Sequence, residues 1–267
     1  MHRILLLSIL ILLVLSCERP FELEVQADAE QLVVEGFIEA SNRQLPPLVI
    51  LTRSQPFFRA IDSEQLDQLF VHDALVEISH AEGRTQLQEI CYSELPPDLQ
   101  DQFAELAGLD AAALPFDFCV YTDLLGSLSG TAGQHYDLYI EAEGKSLKAS
   151  TSIPYGVPLD SLWFVPPPGI PTDTLAQLRA IISDPPDTVN FYRYFTQADG
   201  AMLPGFPSVT DDRLFDGTAF EFPLPKGESR NIDIDPNTYG LFTVGPKATI
   251  RWTCLDQAHF NFWNTLE

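Results

Sequence analysis

A chain of 267 residues, 45% hydrophobic and 11% aromatic, has enough apolar surface for one large or two modest cores and is not a disordered polymer. Its 38 acidic residues against 15 basic ones give a formal charge of −23, a balance that repels phosphate backbones and excludes nucleic-acid binding. The 21 prolines outnumber the 15 glycines, and both cluster between apolar runs, the pattern of many short elements joined by turns.

In chain order, His2 and Arg3 form a short positive segment, and Ile4 to Leu15 is an apolar run broken only by Ser8. A helix of that length rises about 18 Å, well short of a hydrocarbon core of roughly 30 Å, so the run reads as part of a signal peptide and not as a span. Val14-Leu15-Ser16-Cys17 has the form of a lipobox, with the small Ser16 before the cysteine that takes the lipid, although Leu15 is bulkier than the usual residue there. Cleavage after Ala27-Asp28-Ala29 would lie too far from the apolar run, past Glu18, Glu22 and Glu24. We therefore expect residues 1–16 to be a lipoprotein signal peptide, Cys17 to be acylated, and residues 17–30 to be an acidic tether. Each buried methylene of the acyl chains contributes about 0.8 kcal/mol, so two or three chains hold a domain on a membrane almost permanently.

From residue 31 the apolar period becomes two. Leu32, Val34 and Ile38 share one face of a strand; Pro47 to Leu51 reads as a buried strand; Ala74, Val76 and Ile78 alternate with Leu75, Glu77 and Ser79. Tyr136, Leu138 and Ile140 alternate likewise, and the turn Glu143-Gly144 leads into a strand over Leu147–Thr151. This spacing predicts an immunoglobulin-like β-sandwich over residues 31–155. Pro96-Pro97-Asp98 opens a helix whose apolar face is Leu99, Phe103 and Leu106 and which Gly108 stops, so a helical insertion is expected over about 91–119.

Ile153-Pro154 to Pro158 marks a boundary, and residues 156–267 form a second β-rich domain in this reading. Strands are expected at Leu162–Val165, Leu178–Ser183, Asn190–Phe195, Thr218–Phe222 and Ala248–Cys254. Asp256 caps a last helix carrying Phe260 and Trp263. The chain stops at Glu267 on what reads as an unfinished helix, so this domain is expected to be truncated.

The chemistry-bearing residues are sparse. Cys91 and Cys119 bracket the helical insertion; a bridge there would stabilise by about 3–4 kcal/mol on the chain-entropy model, and two buried free thiols are the alternative. Cys254 reads as a strand core residue. His72, His80, His135 and His259 are scattered, in no spacing that marks a metal, and no hydrolase elbow or phosphate loop occurs, so no metal, cofactor or catalytic residue is expected. Asp233, Asp235 and Asn237 open like a calcium loop, but Thr238 stands where Gly is needed and Val244 where Glu is needed. Thr210, Asp211, Asp212 and Asp216 make a second acidic group; turn chemistry and a solvated face account for both. Among Phe57-Phe58, Trp163-Phe164 and Phe191–Phe195 most rings belong to a core, and any left outside would form a binding patch.

Leu32-Val33-Val34-Glu35-Gly36, the Ile90-Cys91-Tyr92 to Phe118-Cys119-Val120-Tyr121 insertion, Thr151-Ser152-Ile153-Pro154, Asn190-Phe191-Tyr192-Arg193-Tyr194 and Phe262-Trp263 together resemble domain of unknown function 4249, a family of Bacteroidota lipoproteins. Their order, not any single motif, carries the resemblance, and it spans nearly all of the mature chain. It implies residence at the outer membrane and association with a TonB-dependent transporter, and it brings no catalytic residues. The expected function is that of a non-enzymatic, lipid-anchored accessory or binding protein. The alternatives are a hydrolase of an extracellular polymer working through carboxylates, and a structural or adhesin surface protein.

Overall fold

The computed structural model describes residues 30–42, 45–55, 66, 68–97, 100, 117–169, 172–198, 200–229 and 235–266. Cys17, the acidic tether before Glu30, the Phe57-Phe58 pair and nearly all of the expected helix over 96–106 lie outside the described residues. What is described is mainly β.

The first strands are β1 (Leu32–Phe37), β2 (Leu48–Arg53), β3 (Leu75–His80), β4 (Gly83–Cys91), β5 (Cys119–Thr122), β6 (His135–Ala142) and β7 (Lys145–Ser152). They form one seven-stranded sheet in the order β1-β2-β5-β4-β3-β6-β7, antiparallel throughout. The sheet curls because β4 changes partner along its length. Residues 83–87 pair with β3, and Gln88 to Cys91 pair with β5. The two halves thereby close on one core, in which Val49, Leu51 and Tyr121 meet Val76, Ile78 and Ile140. These positions alternate along their strands, as a half-buried strand requires, and each fully buried aliphatic side chain contributes about 1.5–3 kcal/mol. Between β6 and β7, Glu143 (φ 51°) and Gly144 (φ 72°) are both left-handed, the backbone that a two-residue hairpin loop needs to match strand twist.

Further along come β8 (Leu159–Val165), β9 (Leu175–Ser183), β10 (Phe191–Gln197), β11 (Leu203–Asp211), β12 (Ala219–Pro223), β13 (Phe242–Thr243) and β14 (Thr249–Leu255). β9 pairs with β8 along one edge and with β12 and then β13 along the other, and β10 lies between β11 and β14. Leu178, Ala180 and Ile182 of β9 face Tyr192 and Tyr194 of β10 and Trp252 of β14, so these two sheets enclose a core of their own. The helix α1 (Gln257–Leu266) begins at Asp256, whose Oδ1 accepts the His259 amide at 2.7 Å. It lies on the outward residues of β10: Phe260 stacks on Phe191 with centroids 4.6 Å apart, and the Arg193 guanidinium sits 3.4 Å from the Trp263 ring.

The seven-stranded sheet meets the later strands through side chains. Arg251 Nη2 donates to Glu39 Oε2 at 2.5 Å, and Thr151 Oγ1 donates to Asp256 Oδ2.

Candidate functional site

The β4–β5 ribbon carries the densest group of reactive side chains among the described residues. Its register sets Glu89 opposite Tyr121 and Cys91 opposite Cys119, and residues two apart on paired strands share a face. Cys91 and Cys119 are joined by a disulfide with Cα atoms 4.0 Å apart. The segment after Phe70 crosses this face, fixed by the Val71 amide donating to Leu51 O at 2.9 Å. It delivers His72, whose Nδ1 lies 2.5 Å from Glu89 Oε1. The other carboxylate oxygen, Oε2, accepts the Asp73 amide at 3.0 Å, with Asp73 itself left-handed at φ 58°. His72 is half exposed and Glu89 mostly covered. Tyr121 is buried behind them: its hydroxyl donates to Val71 O at 2.7 Å, accepts from the Ala74 amide at 3.0 Å and lies 3.2 Å from Glu89 Oε2. Burial first, opposed by the Ala74 amide and reinforced by the Glu89 charge, pushes the Tyr121 hydroxyl up to about 12.

A second group sits at one end of the later sheets. Asp184 Oδ1 accepts the Tyr192 hydroxyl at 2.5 Å, and Asp184 Oδ2 accepts the Gly217 amide at 3.3 Å. Asp212 Oδ2 accepts the Asn190 amide at 2.5 Å. Asp184 and Asp212 are buried, while Asp216 is exposed. The solvated face expected for the 210–216 acids therefore holds for Asp216 but not for Asp212, whose carboxylate serves the backbone of the neighbouring strand. Asp184 stood apart in the sequence, at the end of a strand, and only folding brings it to Asp212.

A third feature is the loop after β5. Asp123 is buried, and its carboxylate accepts from the Leu125 amide at 3.1 Å, the Leu128 amide at 2.6 Å and the Ser127 hydroxyl at 2.8 Å. Burial alone would raise its pKa; the Ser127 hydroxyl and these amides together outweigh it and hold the carboxyl below its usual range. The loop so fixed leaves Leu124 54% and Leu125 87% exposed.

The family model for domain of unknown function DUF4249 matches residues 18–267. The chain belongs to the DUF4249 family. No curated protein matches it, and no solved structure does.

Within this DUF4249 chain the residues singled out by sequence fall in different places. Cys254 carries a free thiol, which accepts the Val157 amide at 3.2 Å and which burial pushes up in pKa. Asp233 lies outside the described residues, and Asp235 Oδ1 is occupied by the amide and side chain of Asn237 at 2.9 and 3.0 Å, a turn closed on itself. Of the aromatic runs, Tyr192 and Tyr194 are core, while Phe164 is half exposed on the edge strand β8. His72 and Glu89 had no sequence signal. They stand seventeen positions apart and meet only because β4 turns from one half of the sheet to the other.

Proposed function

We propose that this DUF4249 protein is an exported lipoprotein, held at the outer membrane by acyl chains on Cys17, that works without catalysis as a binding partner of a TonB-dependent outer-membrane transporter. The observation that carries this reading is the exposure of Leu124 and Leu125 on a loop whose amides are held by the buried Asp123 carboxylate. Two exposed leucines on a loop fixed by a buried carboxylate form a preorganised apolar contact, which binds with less loss of conformational freedom than a floppy one. Its position fits. β1 starts at Leu32, paired with Arg53, whereas β5 ends at Thr122, paired with Leu48 at the opposite end of β2. The loop thus projects from the end of the sheet away from the residue where the tether joins. A lipid anchor also concentrates the protein on the surface where membrane-bound partners lie, so modest affinity suffices.

The test is a photo-cross-linking residue at position 125 in living cells, with Leu125→Asp as the paired variant. Recovery of a TonB-dependent transporter with the first, and its loss with the second while the protein stays folded and membrane-bound, is the expected result. A protein that captures nothing, yet cleaves a glycan or peptide library through a buried Asp or Glu, would overturn it.

A further inference from the structure

We propose that reduction of the Cys91–Cys119 disulfide creates a binding site for one Zn2+ ion, made of the two cysteine thiolates, a ring nitrogen of His72 and a carboxylate oxygen of Glu89.

The four donors are already assembled. One ligand atom from each of His72, Glu89, Cys91 and Cys119 lies within 4.8 Å of all the others. Two thiolates, one imidazole and one carboxylate are a donor set suited to tetrahedral zinc, with metal–sulfur bonds of about 2.3 Å and metal–nitrogen or –oxygen bonds of about 2.0–2.2 Å. That geometry needs the two sulfurs about 3.8 Å apart. In the disulfide the two sulfurs are bonded to each other and carry no negative charge, so the oxidised pair does not ligate. Directly opposed positions on an antiparallel ribbon let the sulfurs separate by side-chain rotation, with the β4–β5 pairing kept.

The outer shell is also in place. A ligand carboxylate is best held through its second oxygen, and the Asp73 amide and the Tyr121 hydroxyl lie 3.0 and 3.2 Å from Glu89 Oε2, leaving Oε1 directed at His72. His72 is half exposed, which gives an ion a route in, whereas Cys119 is buried. The 2.5 Å contact between His72 and Glu89 is the one the metal replaces, each group turning its donor atom from the other to the ion.

The chemistry balances with an external dithiol as reductant. It delivers two electrons and two protons to the sulfur–sulfur bond, leaves as its own disulfide, and yields two thiols here. Zn2+ then binds with release of those two protons, so uptake weakens as pH falls.

The experiment uses the full mature chain with Cys17→Ser, so that no thiol from the anchor position competes. The protein is reduced, freed of reductant without air, and titrated with Co2+ and then Zn2+. The expected result is one equivalent of Co2+ with the intense visible bands of a tetrahedral thiolate site, displaced by Zn2+, and no such bands in the oxidised protein. Cys254→Ala leaves the titration unchanged. His72→Ala, at a half-exposed position, weakens affinity beyond the roughly 10–100-fold that loss of a supporting partner costs, and Glu89→Gln weakens it too. Absence of the bands in reduced protein that keeps its β-sheet circular dichroism overturns the proposal. So does a titration that His72→Ala leaves unchanged.

Discussion

Tyr121 and Glu89 stand directly opposite each other on β5 and β4, and the tyrosine hydroxyl lies 3.2 Å from the carboxylate oxygen that the Asp73 amide also holds. The phenol is held at about 12, above its ordinary value of 10.0, chiefly by burial. A raised folded-state value means that the unfolded chain releases the proton first. Tyr121 therefore stabilises the fold fully below pH 10, and that contribution is lost as pH climbs towards 12. Alkaline unfolding followed by circular dichroism should be shallower over that window for Tyr121→Phe than for the parent, even though the variant starts less stable. Equal slopes would show that Tyr121 ionises as freely in the folded protein as in the unfolded one.

The Asp184–Tyr192 hydrogen bond gives the second prediction. Both groups are buried, and Tyr192→Phe leaves Asp184 with one donor fewer in a site closed to bulk water. We expect a loss of about 1–3 kcal/mol in urea unfolding, larger than for an exposed tyrosine such as Tyr155. In the Tyr192→Phe background, Asp184→Asn should cost less than it does alone, because the charge no longer has its strongest partner.

Gly205 supplies the third. A Cβ at this position would fall 2.0 Å from Cζ of Tyr194, a ring in the core of the later sheets. Gly205→Ala must displace that ring, at a cost of about 1–3 kcal/mol. Near-ultraviolet circular dichroism and the thermal midpoint should both change, whereas Gly156→Ala, with open space around it, should be close to neutral.

Asp123 gives the fourth. Its folded-state pKa lies below the usual carboxylate value, so its contribution is present above about pH 4 and is lost as pH falls through the folded value. Asp123→Ala should quicken amide exchange at Leu125 and Leu128, whose N–H groups lose their acceptor, and leave exchange along β6 and β7 unchanged. Uniform quickening across the sheet would mean that the carboxylate supports the whole fold and not the loop.

Much of the fold could be read from period alone. β1, β3, β6 and β7 carry alternating apolar residues, β2 is a continuous apolar run, and β8, β9, β10, β12 and β14 fall where aromatic and branched runs predict them. The remaining strands have thin burial, are short, or hold residues that oppose a strand. β4 has Leu87 as its one buried side chain, and β5 is too short for a period to emerge. β11 holds Pro204 and Pro207, tolerated because among the described residues it pairs with β10 alone and a proline costs no ladder bond on an edge strand's outer side. The same weak signal hid the His72–Glu89 pair. Without β4 and β5 as paired strands, nothing joins position 72 to 89, or 89 to 121. Asp256 as the cap of α1 was legible because capping is local, whereas Asp184 and Asp212 follow strands of different sheets, β9 and β11, and meet only when those sheets come together.

Because β1 begins at Leu32 and, among the described residues, pairs only with β2 at the edge of the sheet, a pull through the preceding residues meets the sheet along the axis of that strand. The chain leaves the sheet after Ser152, at the end where His135 and Ser152 pair, opposite to the end where Leu32 pairs with Arg53. A load between those two points is carried in shear: the hydrogen bonds of the register from Leu32 to Phe37 must give way together, not one after another as in a peeled hairpin. Anchored and docked as proposed, the chain would be loaded in the direction in which an antiparallel pair resists most.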